Sequence, residues 1–191
     1  MNRVLLVRHA EPDIDVAVPA EEWSLTARGV ESTSRLATIL ADLAPTVIVT
    51  SPERKAVETG RVIAGSLGLP LEQDASFSEH GASPLKFMTD YAEFRELVKR
   101  HFAEPDRIVM RDESSRDAGE RFGRGIRQLE QQSTSPADVP VIVSHGRIMA
   151  SWLAGLTGGS PWEIWNDFRM PDLIEVDLSQ ATMRKVPFPL Y

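Results

Sequence analysis

The stretch Leu6-Val7-Arg8-His9-Ala10 closes an apolar run that begins at Arg3, and it sets a guanidinium and an imidazole at the end of what reads as the first strand. In an α/β sheet ligands bind beyond the carboxyl ends of the strands, so Arg8 and His9 stand where such a protein keeps its chemistry. Two later stretches repeat the pattern. Val47 to Thr50 runs into Ser51-Pro52-Glu53-Arg54, and Val139 to Val143 runs into Ser144-His145-Gly146. Three strand ends of this kind are expected to meet in one pocket.

Val47-Ile48-Val49 and Val141-Ile142-Val143 are apolar without alternation, as central parallel strands are. Further strand-length runs lie at Leu173 to Leu178 and, more weakly, near Leu69 to Glu72. Helical spacing fills the gaps. Leu25-Thr26 introduces Val30, Leu36, Ile39, Leu40 and Leu43 before Pro45, Ser51-Pro52 reads as a cap and first position, and Ser160-Pro161-Trp162-Glu163 adds a capping-box glutamate. Strands alternating with helices predict an α/β fold, a three-layer α/β/α sandwich with a mostly parallel central sheet. We read residues 1–191 as one domain. A helical cap insertion is expected at about residues 83–111, started by Ser83-Pro84, closed by Pro105 and lying over one edge of the sheet; a glycine-containing helix should follow over about residues 114–131. Trp152, Trp162, Trp165 and Phe168 are expected to be mainly core, although this stretch is also compatible with a homodimer contact.

The chain has 191 residues, 42% of them hydrophobic, and a formal charge of −7. It has no cysteine, which removes thiolate chemistry, cysteine-ligated zinc and any disulfide tie to an oxidising compartment. Val4 to Val7 is too short for a signal-peptide core or a membrane span. A soluble cytoplasmic protein with no membrane partner is the expectation. The acidic balance, without a Lys/Arg block, argues against nucleic acid but not against a small phosphorylated substrate met by local arginines. A metal centre is not expected, because His9 and His145 show no HxH or HxxxH spacing, and no cofactor is called for.

Phosphoryl transfer needs charge neutralisation, an in-line nucleophile and a proton for the leaving oxygen. Arg8 and Arg54 supply guanidinium forks suited to phosphate oxygens. His9, if neutral and oriented through its other nitrogen, can attack phosphorus, and His145 can hold the phosphoryl oxygens. Ser51 and Ser144 are read as caps of helices whose N-termini face the same spot.

Arg8-His9-Ala10-Glu11, Ser51-Pro52-Glu53-Arg54-Lys55-Ala56 with Thr59, and Ser144-His145-Gly146 resemble the three signature segments of the histidine phosphatase superfamily, the phosphoglycerate mutase-like proteins. Leu25-Thr26-Ala27-Arg28-Gly29 is similar to the start of that family's first helix. The resemblance implies a covalent mechanism in which His9 is the nucleophile that forms a phosphohistidine. Arg8, Arg54, His145 and Gly146 would form the phosphate pocket. Glu79, in Phe77-Ser78-Glu79-His80-Gly81, lies where many members carry the acid for the leaving alcohol; Glu11 and His80 are competing donors. His80 otherwise reads as a loop histidine shaping the pocket, and His101 as solvent-facing. The implied function is metal-independent phosphomonoester hydrolysis on a small phosphorylated metabolite or a phosphoprotein. The alternatives are a phosphoglycerate-mutase-type phosphotransferase, disfavoured by a segment from Glu11 to Leu25 poor in basic and glycine residues, and a non-catalytic phosphate-binding module.

Overall fold

The computed structural model describes residues 1–80, 91–110 and 112–189. Its centre is a six-stranded sheet in the order β3-β2-β4-β1-β5-β6. The strands are β1 (Arg3–Arg8), β2 (Val47–Thr50), β3 (Leu71–Gln73), β4 (Pro140–Ser144), β5 (Asp172–Asp177) and β6 (Thr182–Lys185). β3, β2, β4 and β1 pair in parallel, whereas β5 pairs antiparallel with β1 and β6 antiparallel with β5. β6, with three of its four residues exposed, gives no apolar signal and is absent from the sequence reading.

The sheet is covered on both faces because its inner strands are apolar on both. Leu5 and Val7 of β1 pack with Leu36 and Leu40 of α1 (Ala27–Ala41) and Ile63 of α2 (Arg54–Leu67). Val4 and Leu6 point the other way, to Phe122 and Ile126 of α4 (Ser115–Gln132) and Ile148, Met149 and Leu153 of α5 (Gly146–Thr157). The three-layer sandwich therefore stands. Thr26, Ser114 and Ser160 cap α1, α4 and α6 (Pro161–Asp167), accepting from the N–H of Gly29, Asp117 and Glu163.

Within the insertion, α3 (Tyr91–Ala103) is helical, while Ser83 and Pro84 lie outside the described residues. It packs differently from the expectation. Val98, Phe102 and Met110 form a cluster with Ala150 of α5 and Trp165 of α6 that contains no strand residue, so α3 rides on the outer helices and not on the sheet edge. Trp162 stacks near Trp165 with centroids 5.4 Å apart, and Trp152 lies 5.1 Å from Phe122, which accounts for these tryptophans by packing.

α1 leaves β1 on one face and α5 leaves β4 on the other, although β1 and β4 are neighbours. The strand order therefore opens a crevice between their carboxyl ends. Gly29 draws α1 tight against its rim: a Cβ there would lie 2.5 Å from the Glu11 carbonyl oxygen, which already accepts from the Thr26 N–H at 3.0 Å. Backbone cannot give way as a side chain can. Gly29→Ala is expected to cost about 1–3 kcal/mol of stability, whereas Gly65→Ala, on the exposed side of α2 with nothing within 4 Å, should gain about 0.5–1 kcal/mol. Urea denaturation of the two variants checks both signs.

Candidate active site

Backbone hydrogen bonds join the three strand ends: His9 N–H donates to the Ser144 carbonyl at 2.9 Å, and Ser51 N–H to the Val143 carbonyl at 2.9 Å. The rings of His9 and His145 consequently face each other with centroids 5.1 Å apart. Ala10 N–H donates to Thr59 Oγ1, whose hydroxyl donates to the Lys55 carbonyl, so the loop that carries His9 is fastened to α2.

His9 is buried, and its Nδ1 lies 2.8 Å from the Ala10 carbonyl oxygen. A carbonyl only accepts, so Nδ1 carries the proton and Nε2 the lone pair. Burial, followed by His145, Lys55 and Arg8, pushes the His9 pKa well below the ordinary histidine value against the pull of that carbonyl. The ring is neutral at neutral pH. His145 occupies the N-cap position of α5 without a side-chain cap bond. Its Nε2 lies 2.8 Å from Ser51 Oγ and 3.2 Å from Glu53 Oε1. Burial first, then Lys55, Arg147 and Arg8, hold it neutral as well, with Glu79 opposing.

Arg8 reaches past the end of β1 and donates from Nη1 to the Phe168 carbonyl at 3.3 Å. Gly146 makes room for it, since a Cβ there would meet the guanidinium at 3.2 Å. Arg8 Nε and His145 Nδ1 are both buried without a hydrogen-bond partner among the described residues. Unmet buried polar atoms are costly, and two of them beside one crevice mark a place that an oxyanion can satisfy.

The second cation of the pocket is Lys55. Its side chain is 8% exposed and donates to the Ala20 carbonyl at 2.8 Å and to Glu53 Oε2 at 2.5 Å. Arg54 is a correction to the sequence reading. Its side chain is 58% exposed and pairs along the outer face of α2 with Glu58. The periodicity held the signal: Lys55, Thr59 and Ile63 recur at i, i+4, i+8 on the buried face, while Arg54 and Glu58 share the outer one. Ser51 and Ser144 are also corrected. Glu53 is the N-cap position of α2, leaving the Ser51 hydroxyl for His145 and the Glu53 N–H, and Ser144 donates to the Phe77 carbonyl at 2.6 Å.

That last bond ties β4 to the loop carrying Glu79. Arg121 braces the same loop, donating to the carbonyls of Ala75, Ser76 and Ser78 while it forks onto Glu113. The Glu79 carboxylate accepts from the N–H groups of Arg147 and Ile148 at the start of α5 and pairs with Arg147 Nε at 3.4 Å. Burial disfavours its charge, but Arg147, His80, His145 and the backbone N–H outweigh it and hold the carboxyl well below the usual range. Of the competing donors, Glu11 is 41% exposed and faces Arg28 at 3.9 Å. His80 is buried against His101, with rings edge to face at 4.5 Å. The solvent-facing expectation for His101 is thus overturned; it is 0% exposed, with its ring against His80.

All ring nitrogens of His80 and His101 are buried without a hydrogen-bond partner among the described residues, and burial lowers their pKa to about 3 and about 4. The unfolded chain takes up these two protons near pH 6.5 and the folded one does not, so stability falls as the pH drops from about 6.5 towards 4 and is flat above that window. These two groups give a slope on the order of 2–3 kcal/mol per pH unit, and His9 and His145, also held below the ordinary histidine value, add to it with the same sign. Urea midpoints at pH 7 and pH 5 should differ accordingly, and His101→Leu should remove about a quarter of the difference.

The crevice at this switch point brings together two neutral histidines, a half-buried arginine and a buried lysine in an α/β protein. The chain belongs to the histidine phosphatase superfamily (branch 1), which it matches over residues 4–182. It is 28% identical over 164 residues to the uncharacterized phosphatase PhoE of Bacillus subtilis, covering 84% of this chain and 80% of that protein. In fold it is similar to mycobacterial glucosyl-3-phosphoglycerate phosphatase, with a TM-score of 0.75, 18% identity and coverage of 98% and 99% of the two chains. It is also similar to the phosphoserine phosphatase of Entamoeba histolytica, with a TM-score of 0.71, 16% identity and coverage of 98% and 96%.

Proposed function

We propose that this chain hydrolyses phosphomonoesters by passing the phosphoryl group through Nε2 of His9, without a metal ion. The observation that carries this reading is the ring of His9, neutral and pinned through Nδ1, beside two buried nitrogens with no hydrogen-bond partner among the described residues, the donor Arg8 Nε and His145 Nδ1. Arg8, Lys55 and His145 would hold the phosphoryl oxygens. Nε2 then forms the N–P bond as the ester P–O bond breaks, and the leaving alkoxide takes a proton from Glu79. A phosphoryl dianion beside Glu79 favours its protonated form, which offsets the charges that keep it ionised in the free protein. Water next attacks phosphorus, its proton passes to Glu79, and the N–P electron pair returns to His9. The phosphatase relatives support a small phosphorylated metabolite as the substrate, and the absence of cysteine supports the cytoplasm as the compartment.

Purified protein in excess EDTA should turn over an activated aryl phosphate. In Glu79→Gln, hydrolysis of alkyl phosphates is expected to fall about 10²- to 10⁴-fold, with aryl esters falling far less because their leaving groups need no proton. Equal losses on both substrate types would remove Glu79 from the acid role, and activity abolished by EDTA would remove the metal-free mechanism.

A further inference from the structure

Glu53 is a carboxylate built into a pocket meant for an anion. Its side chain is 11% exposed. Oε1 accepts the Glu79 N–H at 2.8 Å and lies 3.2 Å from His145 Nε2; Oε2 accepts from Lys55 Nζ at 2.5 Å. One side chain thus touches the second histidine, the pocket lysine and the backbone of the loop carrying Glu79. A carboxylate oxygen can only accept, so its contact places the proton of neutral His145 on Nε2. Ser51 Oγ agrees with this tautomer, since it already accepts the Glu53 N–H at 3.2 Å and accepts again from Nε2.

The consequence concerns the other nitrogen. With Nε2 protonated, Nδ1 of the neutral ring bears a lone pair, and Nδ1 is the atom left buried and unpartnered in the crevice. A phosphoryl oxygen also only accepts. We propose that Glu53 is the positioning residue that makes His145 take up a proton when a tetrahedral dianion binds, so that Nδ1–H donates to the anion while Nε2–H stays on Glu53. The proposal rests on the phosphate-pocket reading above. It assigns the acidic residue a use that bare phosphate binding would not predict: a carboxylate there repels the ligand directly, but stabilises the imidazolium that grips it.

The charged and titratable groups around His145 are His9 and Arg8 from β1, Lys55 from α2, Glu79 from the braced loop and Arg147 from its own helix. The cations among them, together with burial, keep the ring neutral while the crevice is empty. An arriving dianion offsets them, and Glu53 is the carboxylate in contact with the ring that then favours the proton.

The test uses ¹⁵N-histidine-labelled full-length protein, whose four histidines give a tractable set of ring signals. Sulfate serves as probe because it is a tetrahedral dianion with no ionisation of its own near neutrality. At pH 7 the free wild type should show His145 neutral with Nε2 protonated, and saturating sulfate should convert it to the doubly protonated ring. In Glu53→Gln the ring should remain neutral under saturating sulfate, with sulfate affinity lowered about tenfold, the equivalent of one unit of proton affinity. Glu53→Asp, which keeps the charge, should restore protonation. Unchanged His80 and His101 signals report an intact fold; if Glu53→Gln does not fold, the wild-type experiment with Glu53→Asp still decides. A His145 that stays neutral in the wild-type sulfate complex, or that protonates equally in Glu53→Gln, overturns the proposal while leaving the pocket in place. If sulfate shifts neither His9 nor His145, the phosphate-pocket reading fails and this inference falls with it.

Discussion

His9→Ala is expected to lower turnover of an activated aryl phosphate by roughly four orders of magnitude or more, the scale on which removal of a covalent nucleophile acts. The argument is geometric. The Ala10 carbonyl fixes the tautomer, burial and the neighbouring cations keep the ring unprotonated, and the lone pair on Nε2 is ready without a prior deprotonation. His145 does not replace it, because its Nε2 is committed to Ser51 and Glu53 and its Nδ1 is the atom proposed above to take up a proton when the anion binds. Steady-state hydrolysis, paired with acid-quench trapping of an acid-labile phosphoryl group on the wild type, checks the expectation. A variant that keeps more than a few per cent of the rate would show that the phosphoryl group does not pass through His9.

The second large effect separates two adjacent residues. Lys55→Met should reduce kcat/KM by about 10²- to 10³-fold, as removal of a preorganised charge donor does. It should also lower stability, because Glu53 then loses the cation that holds Oε2. Arg54→Ala should stay within about twofold in kcat/KM and cost no more than about 0.5 kcal/mol, since it deletes one exposed i,i+4 pair with Glu58. Kinetics on both variants, each confirmed as folded by near-ultraviolet circular dichroism, decide the matter. The opposite ranking would return the pocket cation to Arg54.

The contrast between Lys55 and Arg54 shows where one-dimensional reading stops. Both are basic, both belong to the segment after the second strand, and residue type favours the arginine. Consecutive helical residues diverge by about 100°, and the i, i+4, i+8 spacing of Lys55 with Thr59 and Ile63 favours the lysine once the rotation of α2 against the sheet fixes that face as the buried one. The same holds for His101. A histidine near a helix C-terminus reads as solvated, and it is buried only because α3 settles on α5 and α6 and brings it against His80. Glu79 was expected as the acid from its place after the third strand. Its attachment to the first N–H groups of α5, 68 residues away in sequence, was not. Glu53 and Ser51 stood within a recognised segment, yet their contact with His145 arises from the pairing of β2 with β4.

The sequence by itself determined five of the six strands, because unbroken apolar runs of strand length are local; the order of strand and helix, because periodicity is local; and the set of strand ends carrying Arg8, His9 and His145. Tertiary structure alone decided which neighbour of each strand end faces inward, which imidazole nitrogen carries the proton, and which carboxylates hold the cations. Apart from the His9–Ala10 and Glu53–Lys55 contacts, which are near in sequence, those depend on contacts between residues tens of positions apart, at distances of about 3 Å, and no local pattern records them.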